Sequence, residues 1–148
     1  MSSVVAGICD AVATELTEQE FSLELPTVTR RWLVRHELRD LGTLHVDVVP
    51  VRAAWETATR ADDRSEVDTD IVICRRGDMA SNDSIDPLAE LGEEFIAYFR
   101  GLVLTAGSQR VQCIRRAFGD AGDSPVDSSL LQDMRLCLIV VRLTWRIL

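Results

Sequence analysis

Lysine is absent: all 16 basic residues of this 148-residue chain are arginine. A GC-rich coding sequence produces such a bias, and arginine also suits fixed, bidentate ion pairs at protein interfaces. Cysteine is sparse and dispersed. Cys9, Cys74, Cys113 and Cys137 form no C-x-x-C pair, follow no signal peptide and each sit in an apolar segment. They read as small buried hydrophobes in a reducing compartment. No apolar run is long enough to cross a membrane, and Arg142 interrupts the longest one. A soluble, intracellular chain is expected.

The usual marks of catalysis are missing too. There is no Gly-rich phosphate loop and no G-x-S-x-G elbow, and no histidine stands near a cysteine. His36 opens His-Glu-Leu-Arg-Asp, which begins like a zinc-protease helix but carries Asp40 where the second imidazole belongs. His45 falls at the start of a strand. The one enzyme-like signal is acidic: Asp62, Asp63, Glu66, Asp68 and Asp70. Asp68 and Asp70 share a strand face and could converge on a divalent cation. Solvated carboxylates at a strand edge, or ion pairs with Arg60 and Arg64, give the same pattern. No cofactor and no metal is expected.

What is present is a core. With 47% apolar residues, the chain supports one domain over residues 1–148. Its net charge of −8 opposes sequence-independent nucleic-acid binding through an overall positive field. The last fifteen residues, Met134 to Leu148, form an apolar, β-branched run. Cys137, Ile139, Val141, Leu143, Trp145 and Ile147 share one face at period two. Leu136, Leu138 and Val140 followed by Arg142, Thr144 and Arg146 make the other. The pattern predicts a strand buried on both faces in its first half and on one in its second, inserted in a sheet.

Ser2 or Ser3 caps a first helix through Val4, Val5, Ile8, Val12 and Leu16. Phe21, Leu23 and Leu25 alternate as a short strand stopped by Pro26, and residues 27–42 read as an extended arm ending in a turn at Gly42. A second strand spans Leu44 to Val51, with Pro50 near its end. Ala53 to Glu66 is a long loop or a projecting hairpin arm, and Val67 to Cys74 is a third strand. Arg75 to Ser84 is a turn-rich connection. Asp86 caps a helix with Pro87 at its first position and a stripe of Leu88, Leu91, Phe95, Tyr98, Phe99 and Leu102. A fourth strand covers about Arg110 to Phe118, and Gly119 to Asp127 is a loop. The expected fold is α+β: a mixed, mostly antiparallel sheet of four to five strands packed by two helices, with the C-terminal strand inserted.

Charge is laid out in blocks. Residues 61–94 are strongly acidic, residues 95–118 hold arginines without acids, 119–133 hold aspartates without bases, and the terminal strand holds arginines alone. Head-to-tail contacts between protomers use such blocks, and so do neighbouring elements of one fold.

In order and spacing the chain resembles the tail-terminator or tail-completion proteins of tailed bacteriophages, from about residue 21 to residue 146. The likeness is carried by Phe21 to Leu25 with Arg30–Arg31 beyond, and by Leu41-Gly-Thr-Leu-His-Val-Asp-Val-Val-Pro50. Asp68-Thr-Asp-Ile-Val-Ile73, the Ile85-Asp-Pro-Leu-Ala-Glu-Leu91 helix to Tyr98, and Leu143-Thr-Trp-Arg146 complete it. The chain departs from the pattern at Trp145, where tyrosine is more usual, and in the extra stretch Arg75 to Ser84. The resemblance implies a structural virion protein of the neck, without an active site and assembled in the host cytoplasm. Protomers would form a homo-oligomeric ring, a hexamer, that caps the tail tube protein, ends tail polymerisation and receives the head-side connector. Genomic DNA would pass through the lumen without specific binding, and no membrane would be involved. Trp55, Arg60, Arg64, Arg75 and Arg76, in the 53–66 arm and the 75–84 loop, are the expected interface residues. Another neck ring (a head–tail stopper), a cytosolic adaptor domain and a metal-dependent hydrolase centred on Asp68 and Asp70 are the alternatives.

Overall fold

The computed structural model describes residues 3–33, 42–57, 63–76, 82–119 and 135–148. The chain opens with α1 (Val4–Glu18), whose Ser3 cap accepts a hydrogen bond from the Ala6 amide at 3.3 Å. Then come β1 (Thr29–Arg30), β2 (His45–Thr57), β3 (Asp63–Arg76), α2 (Asn82–Tyr98), β4 (Val103–Ala106), β5 (Gln109–Phe118) and β6 (Leu136–Ile147). The strands make one sheet in the order β1-β2-β3-β6-β5-β4, antiparallel throughout except for the parallel β1–β2 pair. The α+β class and the inserted C-terminal strand are as expected. The six strands exceed the expected four to five.

Both additional strands are short. β1 lies inside the segment read as an extended arm. β4 joins β5 through the two-residue turn Gly107–Ser108, where Gly107 takes the positive φ of 64° that such hairpins need. The expected strand at Phe21 to Leu25 does not form. Its alternation arises because Phe21, Leu23 and Leu25 lie against the core while the segment pairs with no strand. Phe21 sits edge-on to Phe95 (4.9 Å) and Tyr98 (5.7 Å), and the Ser22 amide and hydroxyl donate to Glu94.

β2 does not stop near Pro50 but runs on to Thr57. The Val48 carbonyl accepts from the Arg31 amide on the β1 side, so Pro50, two residues on, turns its missing N–H to the outer edge, where no ladder bond is lost. The register then shifts between Pro50 and Arg52. The described parts of the 53–66 segment accordingly pair as the two strands of an arm, from Ala53↔Val67 to Thr57↔Asp63. It runs beyond Glu66, the last β3 residue that β6 pairs. β3 also continues through Arg75 and Arg76, which were read as part of a loop, and α2 begins at Asn82, a turn before the expected Asp86–Pro87 start. Pro87 is thus the sixth residue of α2, and the helix forgoes the bond that an amide there would give to the Asp83 carbonyl.

α1 packs on β1 and β2 and also on β4, so the sheet curls until both edges meet one helix; α2 covers β6 and β5. The core between them holds Ile8, Leu16, Ile71, Ile73, Leu88, Leu91, Phe95, Phe99, Ile139, Leu143 and Trp145, all fully buried. Each such side chain contributes about 1.5–3 kcal/mol relative to exposure. Along β6 the Cys137–Trp145 face is buried, but Leu136, Leu138 and Val140 opposite are only half-buried, which corrects the expectation of burial on both faces. The chain end is held by the Leu148 amide, which donates to the Arg110 carbonyl at 2.9 Å.

Candidate protein interface

Of the acids that looked enzyme-like, Glu66, Asp68 and Asp70 lie on β3 with a residue of β6 directly opposite each: Glu66↔Arg146, Asp68↔Thr144 and Asp70↔Arg142. Asp63 opens β3 opposite Thr57, and Asp62 lies outside the described residues. Period two on two antiparallel strands brings every member of this set to the sheet face away from the helices. Arg142 donates to both Asp70 oxygens, from Nε at 2.9 Å and Nη2 at 3.1 Å. Hydrogen bonding to Asp70 holds the guanidinium above its ordinary pKa, against the opposing effect of burial. Asp68 accepts from Thr144 Oγ1 at 2.7 Å and faces Arg52 Nε at 3.5 Å. Glu66 lies between Arg115 (2.8 Å) and Arg146 (3.7 Å). On the neighbouring strand, Asp47 is bound by Arg31 Nε at 2.8 Å.

Glu66, Asp68 and Asp70 are ion-paired, with Arg52, Arg115, Arg142 and Arg146 as the partners and not the expected Arg60 and Arg64. Guanidinium groups stand where a cation would sit beside Asp68 and Asp70. Among the described residues no group of three or more His, Cys, Asp or Glu is placed to hold a metal ion. His45 is half-buried at the first position of β2, and His36 lies outside the described residues. The arginines of the terminal strand are thus spent within the fold on the acids of β3. The charge blocks are in that part internal and lend no weight to a contact between protomers.

The expected interface residues do not form one cluster. Trp55 lies in β2 opposite Ser65, and Arg64 lies in β3 opposite Glu56, both in the arm. Arg60 lies outside the described residues. Arg75 and Arg76 are exposed at the other end of β3. Eleven residues separate Arg64 from Arg75 in one strand, a span of ~36 Å. The two groups therefore mark opposite ends of the molecule.

Two surfaces escaped the sequence reading. Trp32 and Leu33, following β1, are 63% and 67% exposed, and Val51 at the β2 register shift is 43% exposed. The Arg30-Arg31-Trp32-Leu33 run was the available signal, obscured because it fits neither helical nor strand period. On α2, Asp83, Asp86, Glu90 and Glu93 are exposed along one stripe. The sequence reading divides them, with Asp83 in the Arg75–Ser84 connection and Asp86 as the helix cap, so no single stripe emerges from it.

The four thiols are free and buried. Burial pushes Cys9 up to about 12 and Cys74 and Cys113 up to about 11, with Cys137 moved the same way. Such thiols are poor nucleophiles at neutral pH. Among the described residues no helix is long and apolar enough to cross a membrane.

No protein-family model matches this chain, and no curated protein matches it. Five solved chains match it. One of them, whose name states no function, aligns with 100% of this chain and 96% of its own at a TM-score of 0.56 and 14% identity. At that identity the likeness shows the fold alone, two helices with one curled mixed sheet.

Proposed function

We propose that this chain is a structural protein of the tailed-bacteriophage neck, a tail terminator whose protomers form a six-fold ring on the last ring of tail tube protein. The ring ends tube polymerisation and presents a docking face to the head-side connector. One observation supports this reading above the others: three of the segments that carry the resemblance fall on neighbouring strands of one sheet and a fourth on the helix against it, while Phe21 to Leu25 forms no strand. Val46 to Pro50 lies in β2, Asp68 to Ile73 in β3 and Leu143 to Arg146 in β6, with Ile85 to Leu91 in α2 against β6.

The acidic face of β3 fits a scaffold, since its carboxylates are engaged by arginine and threonine. A net charge of −8 suits a lumen through which DNA slides without sticking. Arm residues Trp55, Arg60 and Arg64 at one end, and Arg75 and Arg76 at the other, are the proposed contacts to neighbouring protomers and rings.

Electron microscopy of polymerising tail tube protein tests the proposal. Added in stoichiometric amounts, this chain should stop elongation and cap one end of each tube. Tubes of unchanged length with bare ends would refute it. Alanine at Arg60, Arg64, Arg75 and Arg76 together should weaken capping; full capping by that variant would remove the assigned contacts.

A further inference from the structure

A strand edge with unpaired main-chain groups recruits another strand unless proline, charge or a covering element blunts it. Two such edges stay open in this fold. β1 pairs only with Asp47 and Val48, so that side of β2 carries no further strand among the described residues. Pro50 blunts it next to the body, but Ala53 to Thr57 in the arm contains no proline. The Val48 carbonyl faces β1, so its partner Ile71 turns its main-chain groups to β6. Alternation along the unshifted β3 carries this to Val67, Ser65 and Asp63. Their partners Ala53, Trp55 and Thr57 therefore turn N–H and C=O outward, away from β3.

β4 is the last strand at the other side of the sheet. Its two-residue turn closes on Ala106↔Gln109, and the Leu102 carbonyl accepts from the Cys113 amide at 2.9 Å. Leu104 and Ala106 thus bond to β5, while Val103 and Thr105, both exposed, turn N–H and C=O outward. The strand holds no charge and no proline.

The two edges suit each other. Beyond Glu66 the arm is a two-stranded ribbon, which is marginal in water and gains from a third strand. Five arm residues, Ala53 to Thr57, match the four of β4 in length. Charge agrees: residues 56–64 hold Glu56, Asp62 and Asp63 against Arg60 and Arg64, whereas the one charged residue from Val103 to Gln112 is Arg110. Arg110 has no ion-pair partner among the described residues. Within one chain β3, β6 and β5 stand between the two edges, and α1 packs against both β2 and β4.

We propose that the arm edge Ala53–Thr57 of one copy pairs through main-chain hydrogen bonds with the β4 edge of a second copy, so that the β4–β5 hairpin extends the arm into a four-stranded sheet. Each contact uses one arm and one β4 and leaves the other of each free. The contact is heterologous and propagates until a ring closes. The inference rests on the ring reading and deepens it by assigning the protomer-to-protomer surfaces.

Hydrogen exchange on the unmutated full chain, with tail tube protein added if assembly requires it, reads these amides directly. Val103 and Thr105, together with Ala53, Trp55 and Thr57, should exchange more slowly in the assembled state than in dilute monomer. Sedimentation velocity gives a second test. Thr105→Pro and Trp55→Pro each remove one outward N–H and leave the ladder bonds within the chain in place. Each variant alone should self-associate at least about 10-fold more weakly, while Thr105→Val, which keeps the N–H, should assemble like the wild type. An equimolar mixture of the two proline variants should stop at a heterodimer, because one intact arm and one intact β4 edge remain. Thermal melts matching the wild type establish that the variants are folded. An assembled ring in which these amides stay open would overturn the assignment and leave the ring reading standing. Protection of β4 that needs tube protein while the arm amides stay open would give that edge to tube protein and also overturn it. A chain that stays monomeric with tube protein present would overturn the assignment and the ring reading together.

Discussion

Trp145 Nε1 donates to Thr69 Oγ1 at 3.0 Å, and both residues are fully buried where β6 meets β3. Phe99 packs edge-on to the indole at 5.9 Å, tying the end of α2 to the centre of the sheet. The indole N–H thus finds an acceptor across the strand pair. Trp145→Phe strands the Thr69 hydroxyl and leaves a void, costing about 2–4 kcal/mol. Urea unfolding should show that loss, and Trp145→Phe with Thr69→Val should recover part of it. A neutral single substitution would contradict the packing described.

Asp70 and Arg142 predict a coupled effect. Their side chains are 13% and 24% exposed, so removing either one leaves a partly desolvated charge. Asp70→Asn should cost about 1–3 kcal/mol, and the double change with Arg142→Leu less than the two singles added. Manganese or magnesium titration should give no saturable binding that depends on Asp70. Binding abolished by Asp70→Asn would revive the hydrolase alternative.

The thiols set the alkaline limit of stability. Their folded pKa values are raised by burial from 9.0, to about 12 for Cys9 and about 11 for Cys74 and Cys113. Tyr98 rises from 10.0 to about 12 through burial and its hydrogen bond to Glu15. Below pH 9 these groups are protonated in both folded and unfolded chains and their contribution is intact. Above it the unfolded chain ionises first, so stability falls progressively toward pH 12. The urea midpoint should be lower at pH 10.5 than at pH 8. Maleimide should label the cysteines at pH 8 only once urea is added; rapid labelling of the native protein would contradict their burial.

Gly92 makes a packing prediction. A Cβ there would approach Phe118 Cε1 to 2.8 Å and Ile139 Cγ2 to 3.3 Å, so α2 sits close on β5 and β6 because this position has no side chain. Gly92→Val should destabilise the fold by about 2 kcal/mol or more, outweighing any gain in helix propensity. Thermal denaturation would show it.

Long periodic elements were legible because one physical signal dominated each. β6 reads directly from alternation, and the α2 stripe of Leu88, Leu91 and Phe95 from helical spacing. β1 and β4 were not legible, being too short to show a period, and β1 depends on pairing with β2 across 15 or more residues. Phe21 to Leu25 misled because an irregular segment packed against the core can alternate buried and exposed side chains just as a strand does. Pro50 misled because its effect depends on which edge its nitrogen faces, which only the register reveals. The acids of β3 and the arginines of β6 were both visible, but their pairing required the strand order. The proposed interface residues in the arm and at the β3 end were chosen from loop position and charge, and the strand register shows only that they lie far apart along β3.

The central claim, a ring protein that engages tail tube, is tested most directly by mass in solution. Light scattering on the purified chain, alone and with tail tube protein, should give a closed ring near six times 16.5 kDa, or a monomer that becomes one on adding tube protein. A species that stays at 16.5 kDa and ignores tube protein would contradict the account and favour an adaptor domain.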